Sequence, residues 1–250
     1  MRYFIELAYD GSAYHGWQRQ PNEVSIQSTL EDAMTTLLGQ SISVVGAGRT
    51  DAGVHARQIF AHVDVNQPLD ENFAYILNQF LPKDIAVKMI HHVKEDAHAR
   101  FDAVSRSYQY HITTAKNPFL VSHAYDFGKE LDIALMNQAA DLLLNHTDFK
   151  CFSKSKTDVK TFDCHITHAQ WTQNGTDWIF YIAANRFLRN MVRAIVGTLL
   201  EVGLGKMSLE DFQKVLLSRS RSEAGFSVPA HGLYLTQVVY PNTIFVKHAS

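Results

Sequence analysis

Apolar residues recur along this chain with two alternating periods, and the order of those periods restricts the fold more than any other feature. Every second residue is apolar over about 2 to 9, a strand signal. "SIQSTLEDAMTTLLG" (25–39) then carries helical spacing, opened by Ser25 and closed by Gly39. A strand and loop follow at about 42 to 50, then a strand "QIFAHVDV" (58–65), a helix from about Asp70 to Leu81 stopped by Pro82, and a strand "DIAVKMIHHV" (84–93). The order is βαββαβ, the ferredoxin-like plan.

From Ser107 the same order returns: strand "SYQYHITT", helix "LDIALMNQAADLLLN", strands "TFDCHITHAQW" and "DWIFYIAA", helix "NRFLRNMVRAIVGTLLEV", strand "GLYLTQVVY". An extra helix, "SLEDFQKVLLSR", and two loops, about 115 to 130 and 145 to 160, interrupt it. The pattern predicts an α+β protein of two ferredoxin-like βαββαβ halves, 1–103 and 104–250, sharing a large, mostly antiparallel sheet with a central cleft. With 46% hydrophobic residues in 250, the chain holds enough apolar matter for a sizeable core.

Lys and Arg number 23 against 25 Asp and Glu, so the total charge announces no nucleic-acid partner and any basic surface is local. Cys151 and Cys164 are too few for a disulfide framework and form no CxxC pair, which predicts ordinary thiols in a reducing compartment. No apolar run approaches about 18 residues, and "MRYFIELAYDG" reads as a strand, not as a signal or transit peptide. The expectation is a cytoplasmic protein without a membrane segment, from a bacterium.

"GAGRTDAGVHA" (46–56) holds one carboxylate, Asp51, in a loop kept open by three glycines. "GRTDAG" has P-loop spacing, but Val54 and His55 stand where Lys and Ser/Thr belong, and a strand follows. "GAG" fails as a dinucleotide fingerprint for the same reason. Taken alone, Asp51 reads as a turn residue. Arg49, two residues before, favours the ionised carboxylate, which suits a nucleophile or an electrostatic stabiliser.

In "NRFLRNMVRAIVGTLLEV" a helical period gathers Arg186, Arg189 and Arg193 on one side and Leu188, Val192, Ile195 and Leu199 opposite. That is a solvated basic face, or a stripe for phosphates or a carboxylate partner. Lys154, Lys156, Lys160, Arg219 and Arg221 extend it. Tyr108 and Tyr110 share a strand face by parity, as packing residues or as a stacking ring beside a cleft. Of thirteen histidines, His165 and His168 fall on opposite faces of a regular strand, as do His91 and His92, so no metal site is expected.

"AYDGSAYHGWQRQP" with "SIQSTLEDA", "GAGRTDAGVHA", "LNQFLPKDIAV", "HARFDAVSRSYQYHI", "FLRNMVRAIVGTLLEVG" and "GLYLTQVVYP" resemble, in order and spacing, the tRNA pseudouridine synthase A family, from about residue 3 to 241. Two positions depart from it: Arg57, where the family has a small residue, and Cys164, where an arginine is common. The second departure reads as one charge lost from an RNA surface.

The resemblance implies isomerisation of uridine to pseudouridine at positions 38 to 40 of the tRNA anticodon arm, with base flipping, by a homodimer that uses no cofactor and no metal. It makes Asp51 the nucleophile, Arg193 its ion-pair partner, Tyr108 the ring stacked on the target uracil, and Arg49 a holder of the flipped nucleotide's place. It gives Arg186 and Arg189 the RNA backbone. Two rivals remain: an RNA-binding module without chemistry, indifferent to Asp51→Asn, and a hydrolase that releases uracil.

Overall fold

The computed structural model describes residues 1–154 and 159–246. In chain order the elements are β1 (Arg2–Tyr9), α1 (Ile26–Leu38), β2 (Val44–Gly46), β3 (His55–Asp64), α2 (Phe73–Phe80), β4 (Ile85–Val93), β5 (Ser105–Thr113) and β6 (Tyr125–Asp126). They continue with α3 (Ile133–Leu144), β7 (Ile166–Asn174), β8 (Asp177–Ala184), α4 (Met191–Gly203), α5 (Leu209–Ser218) and β9 (Leu233–Val239). The fold is α+β: nine strands, paired mostly antiparallel, and five α-helices among the described residues.

The chain divides into two compact units, 1–104 with 235–250, and 105–234. The first contains the whole of the predicted βαββαβ run and most of β9. At its centre β1 runs antiparallel to β3 on one side, Arg2 opposite Asp64, and to β4 on the other, Arg2 opposite Val93. Phe4, Ile5 and Leu7 of β1 are fully buried, as are Ile26, Leu30 and Met34, which recur every four residues along α1.

The start of α1 is set by chemistry already visible in the sequence. Ser25 caps the helix through its hydroxyl, which accepts the Ser28 amide at 3.1 Å, and the Ser25 amide returns a bond to the Ser28 hydroxyl. Such a cap contributes about 1 kcal/mol. Gly39 ends the helix in the left-handed region, at φ 64°. Helix α2 begins later than expected because Asp70 folds into a turn, its carboxylate accepting the Asn72 amide at 2.7 Å.

In the second unit β8 lies between β5 and β7, antiparallel to both, and the short β6 runs parallel to the end of β5. Strand β7 starts at Ile166, five residues after the predicted start, and its register shifts between Ile166 and His168, so the regular alternation assumed for His165 and His168 does not apply.

Helix α4 departs most from expectation. It was to begin near Asn185, but it begins at Met191, because Asn190 takes a left-handed backbone, φ 67°, and its side chain donates to Ser227 Oγ at 2.7 Å. Eleven of its thirteen residues are buried, so it has no solvated basic face. Its glycines admit close neighbours: a Cβ on Gly197 would run into the Phe226 carbonyl, and Gly225 lies directly over Thr198. Segment 224–228 thereby covers the flank that a helical stripe would have exposed. Among the described residues no helix is long and apolar enough to cross a membrane.

Candidate active site

In the first unit, the residues between β2 and β3 are held by backbone contacts from the turn that follows β1. The Thr50 carbonyl accepts the Trp17 amide at 3.2 Å, and the Thr50 hydroxyl bonds the Tyr9 phenol at 2.9 Å. Gly53 donates to the Tyr14 carbonyl at 3.3 Å, and Tyr14 is tied in turn to Asp84 at 2.7 Å. Gly16 sits at φ 85°, and a Cβ on it would strike the Thr50 carbonyl and come within 3.0 Å of the Asp51 carbonyl carbon. Gly46 leaves room for the Trp17 indole at the end of β2, which an added Cβ would strike.

Asp51 opens a turn closed by the Val54 amide at 3.2 Å, with Gly53 at φ 77° in the third position, where a type II turn requires a positive φ. The turn reading of Asp51 therefore holds for its backbone. Its side chain is half-buried, while Arg49, two residues earlier, is exposed. Of the three glycines expected to keep this loop open, Gly46 and Gly53 have identifiable tasks, and an added Cβ on Gly48 would meet nothing.

The buried carboxylate of Glu31 supports the same region from α1. It accepts the Val44 amide and the Gln27 side chain, each at 3.0 Å, and pairs with Arg19 at 2.9 Å. Sequence reading passed over Tyr9, Gly16, Trp17 and Glu31. The isolated glycine in "YHGWQRQ" before a capped helix was the signal for Gly16 and its neighbour Trp17, since such a glycine marks close backbone approach.

In the second unit, Tyr108 and Tyr110 share the face of β5 that parity predicts, with different fates. Tyr110 is buried, donates to the Pro229 carbonyl at 2.8 Å, and has its phenol pushed well above the usual range by burial. Tyr108 is half-buried and meets the Phe187 ring edge-on, 5.1 Å between centroids at 86°. Phe187, missed in the sequence reading, thus orients the tyrosine from the segment that carries Arg186 and Arg189.

That segment is irregular and ends in a turn at 189–190. Asn185 Oδ1 accepts the amides of both His165 and Arg186, at 2.7 and 2.8 Å, and the Arg189 carbonyl accepts the Lys154 amide at 3.0 Å. Arg186 and Arg189 therefore do not line up with Arg193 on a helix, which corrects the predicted stripe, although all three lie within eight residues. Arg193 alone is on α4: its Nε donates to the Val228 carbonyl at 2.7 Å and its own carbonyl accepts the Val228 amide at 3.2 Å. Val228 is fully buried, so this reciprocal pair fixes the arginine stem.

Two of the supposed extensions of the basic stripe are committed elsewhere. Arg219 pairs with Asp148 at 2.8 Å, and Arg221 bonds the carbonyls of Ala224 and Gly225 and the Ser227 hydroxyl. Lys154 and Lys160 are exposed, and Lys156 lies outside the described residues. Cys164 is 2% exposed, with burial raising its thiol to about 11 against the opposing pull of Arg186, so this position is no gap in a charged surface. Burial raises Cys151 to about 12. Both remain protonated, unreactive thiols at neutral pH.

The tRNA pseudouridine synthase family model matches residues 7–102 and 139–241. Among curated relatives, tRNA pseudouridine synthase A of Bacteroides fragilis is 54% identical over 247 residues, covering 98% of each chain. The protein of that name from Bacteroides thetaiotaomicron is 54% identical over 98% of this chain and 92% of its own. The one from Acetivibrio thermocellus is 40% identical over 94% and 97%. With one half-buried carboxylate on a braced loop in its first unit, and an oriented tyrosine and a fixed arginine in its second, this chain belongs to the tRNA pseudouridine synthase family, isomerases that act on tRNA.

Proposed function

We propose that this protein converts uridine to pseudouridine at positions 38 to 40 of the tRNA anticodon arm, as a homodimer, with the Asp51 carboxylate as nucleophile and without metal or cofactor. The observation that carries the role of Asp51 is the bracing of its loop: residues 50–54 are held at Thr50, Gly53 and Val54 by backbone bonds and by the close approach of Gly16. Such bracing suits a group that must be in place before the substrate arrives.

The chemistry matches these residue types. Cleavage of the C1′–N1 bond develops positive character at the sugar carbon, which one carboxylate stabilises or captures. The freed uracil turns and bonds through C5; C5 loses its proton and N1 gains one, so nothing is oxidised and no water is activated. Neither a redox cofactor nor a Lewis acid is called for. Tyr108, held by Phe187, is assigned the face of the uracil, where stacking leaves in-plane rotation open. Arg193 is assigned the charge of Asp51, and Arg49, Arg186 and Arg189 the flipped nucleotide and its phosphates.

Tritium release from C5 of uridine in a tRNA transcript tests this directly. The parent is expected to release tritium with or without chelator, and Asp51→Asn to lose at least about 10³-fold. Tight tRNA binding without release across several tRNAs would replace the enzyme reading with a binding module. Free uracil among the products would indicate a hydrolase.

A further inference from the structure

The histidine near the end of the 46–56 motif takes no part in the chemistry above, yet it is polar and only 2% exposed. Its ring reaches from the start of β3 to the turn after β1, where the Gly11 amide donates to His55 Nδ1 at 3.1 Å. A ring nitrogen that accepts a hydrogen bond carries no proton, so if this contact is made, the His55 proton is on Nε2. Asp10 Oδ1 lies 3.1 Å from the same nitrogen and also accepts from the amide and hydroxyl of Ser12, at 2.9 and 2.6 Å.

Gly11 is pressed onto the loop at a second, adjacent point, since a Cβ there would run into the Val54 carbonyl. At its other end the same turn meets the loop through Gly16 and Trp17 at Thr50. Residues 11 to 17 thus span Asp51 from both sides, and His55 is the side chain that pins the near end.

We infer that His55 is a positioning residue for Asp51: through Nδ1 it holds the 11–17 turn against residues 50–54 and so sets where the carboxylate stands when the uridine reacts. This rests on the reading of Asp51 as nucleophile. A displacement of about 1 Å at a reacting group costs on the order of 10²-fold, and His55 acts four residues away, so a loss of about tenfold is expected in kcat. KM for tRNA should stay unchanged, because His55 acts on the carboxylate's placement and not on RNA contacts.

Two variants separate this role from mere packing. His55→Asn keeps an acceptor where Nδ1 stands, whereas His55→Gln places its acceptor where Nε2 stands. The Asn variant should retain kcat within about threefold and the Gln variant should lose about tenfold with KM unchanged. Equal kcat in the two variants, or a loss confined to KM, overturns the inference. In the parent, imidazole ¹⁵N NMR should show His55 as the Nε2–H tautomer; a proton on Nδ1 overturns it without requiring any variant to fold. Asp51→Asn is assayed alongside. Activity in that variant would remove the reading of Asp51 itself, whereas a dead Asp51→Asn with an unimpaired His55→Gln removes only the role of His55.

Discussion

The loop 49–55 of the first unit and the segment 185–193 of the second carry the charged residues of the proposed chemistry, and they are built on opposite principles. The loop is irregular backbone held mostly by backbone, with carbonyls and amides of Thr50, Gly53 and Val54 bonded within the loop or to the preceding turn, glycines where chains touch, and the Thr50 hydroxyl and His55 ring as side-chain ties. The arginine segment is irregular backbone held in larger part by side chains, with Asn185 bonding two amides and Asn190 reaching Ser227. Glycine-dependent bracing leaves a signature in sequence. Asparagine-dependent bracing at the mouth of a helix does not, because the surrounding residues keep their helical period.

The contrast predicts a steep response in the loop. Gly16→Ala puts a Cβ against the Thr50 carbonyl at a positive φ, and should lower kcat for pseudouridine formation by about 10²-fold and stability by about 1–3 kcal/mol. Thermal melts and C5 tritium release measure both, and a fully active variant would break the claim that this turn positions the loop.

A smaller effect concerns β3, which carries the loop's end. His62 is buried, and burial, with smaller contributions from Arg2 and His98, lowers it from 6.5 to about 4. The folded state resists its protonation, so the stability linked to His62 is complete above about pH 6.5 and is lost as pH falls toward 4, an effect on the order of 2 kcal/mol. Urea titrations at pH 7 and 4.5 should show this loss, and His62→Asn, which keeps an acceptor for the Ala99 amide now bonded to Nδ1 at 3.1 Å, should diminish it. An undiminished loss assigns the acid sensitivity to other groups.

The smallest effects belong to the arginine segment. Arg186→Ala and Arg189→Ala should each weaken tRNA binding a few-fold and reduce the salt slope by about one, with the melting temperature nearly unchanged. An unaltered slope would place the RNA backbone elsewhere and leave the segment purely structural.

The sequence by itself determined the order of elements, the Ser25 and Gly39 boundaries of α1, the shared face of Tyr108 and Tyr110, and the family, through motifs whose spacing covers nearly the whole chain. These are local properties: a period, a cap or a parity is complete within a few residues. Tertiary structure decided what distant residues settle. Helix α4 begins at Met191 because Asn190 is drawn to Ser227, Arg193 is fixed by Val228, Arg219 is taken by Asp148, and Cys164 is buried beside Arg186. Burial and hydrogen bonding between residues about twenty or more apart leave no periodic trace along the chain, and they determine which charges face solvent and which serve the fold.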